Sequence, residues 1–322
     1  MSTTRHGRHQ TAEFIIILLA STFLMGSSFV AGKILLRDGF QALVLVGWRF
    51  FVAALAALPL AFLEGGVRAL WPHGAGLRDA ALALLIGLLQ TAAVMGLLFL
   101  AMNSISASTA AILLFTNPIW VALLGRMFLG EALPASRMAG LFLGLVGVCF
   151  AIGIGPALLA GGGTAEGELI GLAASFCWAV ATLVNKRAGL PFGPWALSFW
   201  QMFVGSLALL GVACDAGEYW PPAITTAQWG WFLWLAIPAS TGSFGLWFMA
   251  LEKGGATKAS GFLFLAPLFT VILSFFVMDA PLSWRQGVGG VLIGFALWLV
   301  NRNAPARNQR EAIAEAVAER RP

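Results

Sequence analysis

Charge is what this sequence lacks most: only 10% of its 322 residues are charged, and no Asp or Glu falls deep inside any of its long apolar stretches. A soluble globule carries about 25% charged residues, so a soluble fold is excluded and the chain belongs in a bilayer. Histidine is nearly as scarce: His6, His9 and His73 all lie in segments predicted to be cytoplasmic. The three cysteines, Cys149, Cys177 and Cys214, fall inside apolar segments without CxxC or metal-ligand spacing and read as packing residues. With no cluster of acids, histidines or thiols, neither a catalytic residue nor a metal or cofactor is expected. An integral membrane enzyme acting on lipid is the weaker alternative for the same reason. One Tyr stands against 25 Phe and 13 Trp, so most aromatic side chains face lipid or anchor the interface, as expected for Trp71 and Trp220 beside loops.

What remains is 59% hydrophobic. A membrane-spanning helix needs about 20 mostly apolar residues. The sequence divides into ten such stretches: 14–35, 40–62, 79–101, 107–128, 135–154, 168–187, 193–214, 227–250, 256–278 and 285–302. The net charge of +5 reflects loop asymmetry and gives no reason to expect a nucleic-acid partner. With a cytoplasmic N-terminus, of the 19 Lys and Arg only Lys33, Arg37, Arg49 and Arg285 fall outside. Glu166, Glu168, Asp215 and Glu218 fall in two extracytoplasmic loops that have no Lys or Arg. Both termini are therefore expected in the cytoplasm. A basic start before the first apolar run resembles a signal peptide, but the same pattern returns at 168–187, where no cleavage signal acts. The first helix is retained.

That recurrence is part of a longer repeat. LASTFLMGSSFVAGK ending at Lys33 aligns with LAASFCWAVATLVNK ending at Lys186. WRFFVAALAAL from Trp48 matches WQMFVGSLALL from Trp200, and GLLFLA from Gly96 matches GLWFMA from Gly245. AILLFTNP ending at Pro118 pairs with GFLFLAP ending at Pro267, and both units close on GxxxG, at Gly140 to Gly144 and Gly290 to Gly294. Five segments matching in order make the repeat secure. Five is odd, so the second unit enters the membrane from the opposite side. Inverted repeats give inward-open and outward-open states of comparable energy around a central site. The expected organisation is a cytoplasmic tail at 1–13, a first unit at 14–153, a flexible glycine-rich linker at 154–167, an inverted unit at 168–302 and a cytoplasmic tail at 303–322. The tail beyond Arg302 reads as a solvated or membrane-surface helix.

The paired small-residue helices ending in Lys33 and Lys186, Arg49, the Asn117–Pro118 pair and GEAL at Gly130 to Leu133 resemble the drug/metabolite transporter superfamily. Within it the chain is similar to ten-helix EamA-type exporters, including bacterial exporters of amino acids, aromatic ones among them, and of the dication paraquat. The resemblance covers residues 14–302 and implies an all-α membrane protein of two inverted five-helix repeats, in which helices 1–4 and 6–9 surround a central path. It also implies an inner-membrane exporter of small zwitterionic metabolites, with drug-like cations or other metabolites as the alternative cargo. The related four-helix multidrug antiporters carry a membrane glutamate two turns before a lysine like Lys33. Here Met25 and Trp178 hold that place. Without an acid at the midplane, uniport is expected rather than proton coupling.

Candidate substrate contacts follow from polar groups deep in spans. Pro118 and Pro267 kink equivalent helices and release the carbonyls of Leu114 and Leu263, free to accept from a substrate ammonium. Pro238 faces Leu89 in the other unit, so one half is expected to bend more. Gln90, Thr91 and Asn117 are further candidates, as are Ser27, Thr182 and Ser243, each of these hydroxyls either meeting substrate or bonding between helices. Trp178 is expected on the cavity wall, where its ring suits broad apolar or cationic cargo. Arg49 either meets a carboxylate or, as the more ordinary outcome, snorkels to the surface. The glycine runs permit a dimer face or packing within a monomer, so monomer and homodimer stay open.

Overall fold

The structure, a computed structural model, describes residues 3–130, 135–152, 163–247, 249–250, 261–280 and 283–302. Among these residues there is no strand. The helices are α1 (Thr3–Arg37), α2 (Ala42–Gly65), α3 (Leu77–Ser104), α4 (Ala107–Leu114 and Asn117–Leu129), α5 (Ala135–Ile152), α6 (Gly163–Ala188), α7 (Pro194–Asp215), α8 (Thr226–Ala236 and its continuation), α9 (Leu265–Met278) and α10 (Trp284–Arg302). Of these, α1 to α4, α6 and α7 are long and apolar enough to cross a membrane by length and composition. Large apolar side chains such as Leu63, Phe128, Phe142, Phe276 and Val291 are exposed on the outer surface, as lipid contact requires.

Two boundaries move. α1 continues through the segment expected as an N-terminal tail, and α6 starts at Gly163, so Glu166 and Glu168 belong to a helix rather than a loop. The centre of the glycine-rich linker, most of the GEAL motif and the C-terminal tail lie outside the described residues.

The packing obeys the repeat. α2 lies along α7 and α5 along α10, α1 packs on α8 and α9, and α6 packs on α3 and α4. Exchanging each helix for its counterpart five places on returns the same set of contacts. The chain is thus two inverted five-helix repeats about a pseudo-two-fold axis. Hydrogen bonds sort the loops to two ends. At one end Lys33 donates to the carbonyls of Met102 and Ile105, and the Glu218 carboxylate accepts from the N–H groups of Leu43 and Val44 at the start of α2. At the other end Trp200 Nε1 donates to the Leu70 carbonyl at 2.8 Å, and Trp71 packs edge-on against Phe192. Trp220 packs on Phe40 and Phe232 at the first end. Both predicted anchors stand at the ends.

Regular helix is interrupted at matching places. α4 breaks at Phe115 and Thr116, and Pro118 sits in the first turn of its second piece. Pro267 opens α9 just after the short 3-10 segment Gly261–Phe264. π-Helical turns occupy Gly87–Ala93 in α3 and Ile237–Gly242 in α8. Pro238 lies in the π turn of α8, and α3 carries the same widened turn without a proline. In α3 it coincides with close approach of α7, where a Cβ on Gly205 would lie 2.7 Å from the Gly87 carbonyl oxygen.

Glycine sets two contacts between helices. A Cβ on Gly26 would lie 2.6 Å from the Ala266 carbonyl oxygen, and one on Gly147 would lie 2.9 Å from Ile293. Thr270 reinforces the first by donating to the Gly26 carbonyl at 3.0 Å. Gly26→Val is expected to force α1 from α9 and lower stability by about 1–3 kcal/mol, read as a fall in thermal unfolding temperature in detergent; an unchanged midpoint would show that α1 does not need this approach.

Candidate functional site

Polar side chains inside the bundle collect along two seams. The first joins α1, α2 and α8. Snorkelling would leave Arg49 at the surface, but it is only 2% exposed. Its Nε donates to Ser240 Oγ at 2.8 Å, and its guanidinium lies 4.6 Å from the Phe50 ring centre and 5.4 Å from that of Phe99. Two ring faces and one hydroxyl hold the cation where no carboxylate pairs with it among the described residues. Ser240 in turn donates to the Leu235 carbonyl at 2.8 Å. Its neighbour Thr241 donates to the Ala53 carbonyl of α2 at 2.7 Å. Ser243 back-bonds to Ala239 at 2.8 Å while its own carbonyl accepts from Ser21 at 2.9 Å. Ser27 donates to the Leu24 carbonyl and accepts from Trp234 Nε1 at 2.9 Å. Ser27 and Ser243 are thus brought to one seam by α8.

The second seam joins α4 and α6. The Leu114 carbonyl, expected to face a cavity because Pro118 removes its partner, accepts from Ser175 Oγ at 3.0 Å. Ser175 also meets Thr116 Oγ1 at 2.9 Å. A hydroxyl from the neighbouring helix supplies a donor at the break and takes one of the carbonyl's two acceptor positions. Asn117 is buried, and its Nδ2 has no hydrogen-bond partner among the described residues. Thr182 back-bonds to the Trp178 carbonyl at 2.8 Å. Trp178 is half-buried and meets Phe115 edge-on at 5.7 Å, and Phe115 meets Phe29 of α1 at 6.2 Å. This aromatic run crosses from one half to the other at the point where α4 breaks.

The remaining candidates are separate. Gln90 and Thr91 lie in the π turn of α3 against α7, with Thr91 packed on Gly205. In the repeat, Gln201 stands for Arg49 and Thr91 for Ser240, so the charged pair of one half has a neutral counterpart in the other. Leu263 is buried in the 3-10 turn before Pro267. Of the cysteines, Cys177 is half-buried and Cys214 is exposed, so Cys214 is not the packing residue expected. No group of three or more potential metal ligands occurs among the described residues.

Sequence reasoning misses three features. The burial of Arg49 and the role of Ser175 are the first two: both residues are visibly polar, but the face of a helix that is apolar all round cannot be read from periodicity. Glu168 is the third: only 6% exposed, with Oε2 unpartnered among the described residues, on a helix that passes Ile105 and Ser104 at neighbouring Gly167. It is a buried acid at one end of the bundle.

The family model of the EamA-like transporters matches residues 13–153 and again 165–302. The chain belongs to the EamA-like transporter family. A relative from Archaeoglobus fulgidus, named only as a transporter, is 27% identical over 277 residues, covering 86% of this chain and 93% of its own. PecM of Dickeya dadantii is 30% identical over 217 residues, 67% of this chain and 71% of its own. A WAT1-related chloroplastic protein of Arabidopsis thaliana is 26% identical over 88% of this chain and 68% of its own. One solved crystal structure superposes with a TM-score of 0.64 at 16% identity, covering 93% of this chain and 99% of that one. This EamA-like chain is a multi-pass membrane transporter, not an enzyme.

Ser175→Ala strips the Leu114 carbonyl of the hydroxyl that replaces its lost helical partner. A buried acceptor left bare at a helix break is expected to reduce stability by about 1–2 kcal/mol, measured as thermal unfolding in detergent, with Ser175→Thr restoring it. Equal stability of the alanine and wild-type proteins would mean that another donor fills the break.

Proposed function

We propose that this transporter exports small zwitterionic metabolites, foremost amino acids including aromatic ones, across a bacterial inner membrane by alternating access. The single observation that carries the reading is the buried Arg49. A guanidinium inside a span is costly and marks a substrate path more often than a structural strut. It has five N–H donors in a planar fork matched to a carboxylate. Among the described residues only Nε is engaged, by Ser240. An incoming carboxylate would find the remaining donors already oriented by two ring faces. The aromatic run through Phe29, Phe115 and Trp178 offers a neutral wall for varied side chains, which favours broad specificity over a tight pocket.

The inverted halves supply the two access states. The end with Arg68, Arg78, Lys186 and Arg187 is the cytoplasmic one by the positive-inside rule, which would put both termini there. Ser27, Gln90, Thr91, Asn117, Trp178, Thr182, Ser243 and Leu263 are proposed to line or shape the path, with Pro118, Pro238 and Pro267 as its flexure points. Transport down the substrate gradient needs no proton carrier, and uniport is the primary mechanism proposed.

Glu168 favours a second reading, proton-coupled export of drug-like cations such as paraquat or of other metabolites, because a buried acid with a bare oxygen is a place to hold a proton. Proteoliposomes preloaded with labelled phenylalanine, leucine or paraquat separate the two. Uniport predicts amino-acid efflux that is equal with and without a pH gradient and unchanged in Glu168→Gln. Efflux of paraquat alone, driven by the gradient and lost in Glu168→Gln, would establish the second reading. No efflux of any amino acid would end the first.

A further inference from the structure

Two cavities on the side that holds Lys33 adjoin one another and share wall residues. The first is a groove of about 240 Å³ between α9 and α10, almost wholly apolar, walled by Leu268 and Val271 on one side and by Gly287, Gly290 and Gly294 on the other. Leu268 and Val291 of its rim are exposed on the outer surface, so in a membrane it opens sideways to lipid tails. The second cavity, about 310 Å³, is the more polar of the two and is lined by Lys33, Arg37, Ser108, Ser274 and Asp279 among others. Val271 and Gln286 belong to both walls. Gln286 stands at the junction, its amide 3.3 Å from the hydroxyls of Ser106 and Thr109.

The polar cavity has the marks of a site for an anion. Lys33 spends two of its three ammonium protons on the Met102 and Ile105 carbonyls, leaving one. Arg37 is exposed beside it. The first turn of α4 points there: Ser106 caps Thr109 N at 3.0 Å, while the earlier N–H groups of that turn have no partner within the helix. Ser274 is only 3% exposed and its hydroxyl has no partner among the described residues. Against these donors stands one acid, Asp279, which forms no ion pair with either cation among the described residues.

The glycines of the groove explain themselves in this light. The α5 run does pack within the monomer, since a Cβ on Gly144 would meet Ile119 at 2.6 Å. In α10 a Cβ on Gly287, Gly290 or Gly294 would meet nothing within 4 Å. These three glycines keep a channel open instead of joining two helices.

We propose that this composite cavity binds an anionic phospholipid, its phosphate held by Lys33, Arg37, the α4 N-terminus and Ser274, and one acyl chain lying in the α9–α10 groove. The occupant is a lipid because the apolar groove and the cationic pocket share a wall and the groove opens to the bilayer. Its charge is set by the two cations facing one acid. The site is built on α1, α4, α9 and α10 and shares no residue with the seam around Arg49, although the groove wall includes Pro267, one of the proposed flexure points.

The test uses purified full-length protein in detergent, titrated with dioleoyl-phosphatidylglycerol, dioleoyl-phosphatidylcholine or glycerol 3-phosphate, with retention read by native mass spectrometry and stability by thermal unfolding. Phosphatidylglycerol is expected to be retained and to stabilise in preference to phosphatidylcholine. The double variant Lys33→Gln and Arg37→Gln is expected to lose that preference by about tenfold or more. Gly290→Leu puts a side chain into the groove at a position where a Cβ meets nothing within 4 Å and is expected to release both lipids, with Gly294→Leu as a second variant should the first fold poorly. Equal retention of the two lipids by the wild type, or a preference unchanged in the double variant, would overturn the proposal. So would stabilisation by glycerol 3-phosphate equal to that by phosphatidylglycerol, which would make the site one for soluble anions. A dimer that Gly290→Leu converts to monomer would also overturn it, since the groove would then belong to a second copy.

Discussion

Irregular helix at membrane depth is held in this protein by hydroxyls from another turn or another helix, and the rest of the structure hangs on that repair. A bilayer offers no water to an open carbonyl, so a break in a spanning helix survives only when a neighbour supplies a donor. At Phe115–Thr116 the donor is Ser175 of α6. In the π turn of α8 Ser240 donates to Leu235, and Thr241 reaches across to the Ala53 carbonyl of α2. These bonds do two things at once. They permit irregular backbone at membrane depth, and those of Ser175 and Thr241 tie one five-helix unit to the other.

Arg49 is the consequence on which the proposed transport reading rests. The hydroxyl of Ser240 has one hydrogen to give, and it goes to Leu235; its lone pairs remain, and Arg49 Nε takes one at 2.8 Å. The repair of α8 thus positions the cation. Phe50 and Phe99 then flank the guanidinium with ring faces, which replace part of its lost hydration. In the opposite half Gln201 and Thr91 occupy the related places without charge, so the pseudo-symmetry of the backbone is broken in chemistry. In the proposed reading the inverted repeat uses two similar scaffolds to alternate but only one anchor for a carboxylate.

Much of this is legible in the sequence. The spans, the repeat and the inversion follow from hydropathy, aligned segments and parity, and the matched prolines at 118 and 267 do mark the starts of helices. The π turn of α3 is hidden, because nothing in GLLQTAA signals it; tight packing of α7 at Gly87 and Gly205 accompanies it. Ser175 is one small residue among many on a helix apolar on every side, and nothing in its neighbours marks it out. Glu168 reads as a loop residue because α6 starts earlier than its apolar run. In each case the missing information is the rotation or register of a helix against its neighbours, which composition does not encode. The glycine pattern is ambiguous for the same reason: Gly144 faces a partner helix and Gly290 faces open space, although both belong to the same motif.

If Arg49 holds the carboxylate, cargo recognition must depend on that group, whatever the side chain. Efflux of phenylalanine compared with its decarboxylated amine, phenethylamine, from proteoliposomes bearing wild-type or Arg49→Gln protein isolates the contact. Phenylalanine should leave wild-type vesicles much faster than the amine, by about tenfold or more if a charge-assisted bond of about 1.5–3 kcal/mol is at stake, and the variant should erase the difference chiefly by slowing phenylalanine. Equal efflux of the two compounds from wild-type vesicles, or discrimination that survives in Arg49→Gln, would contradict the account.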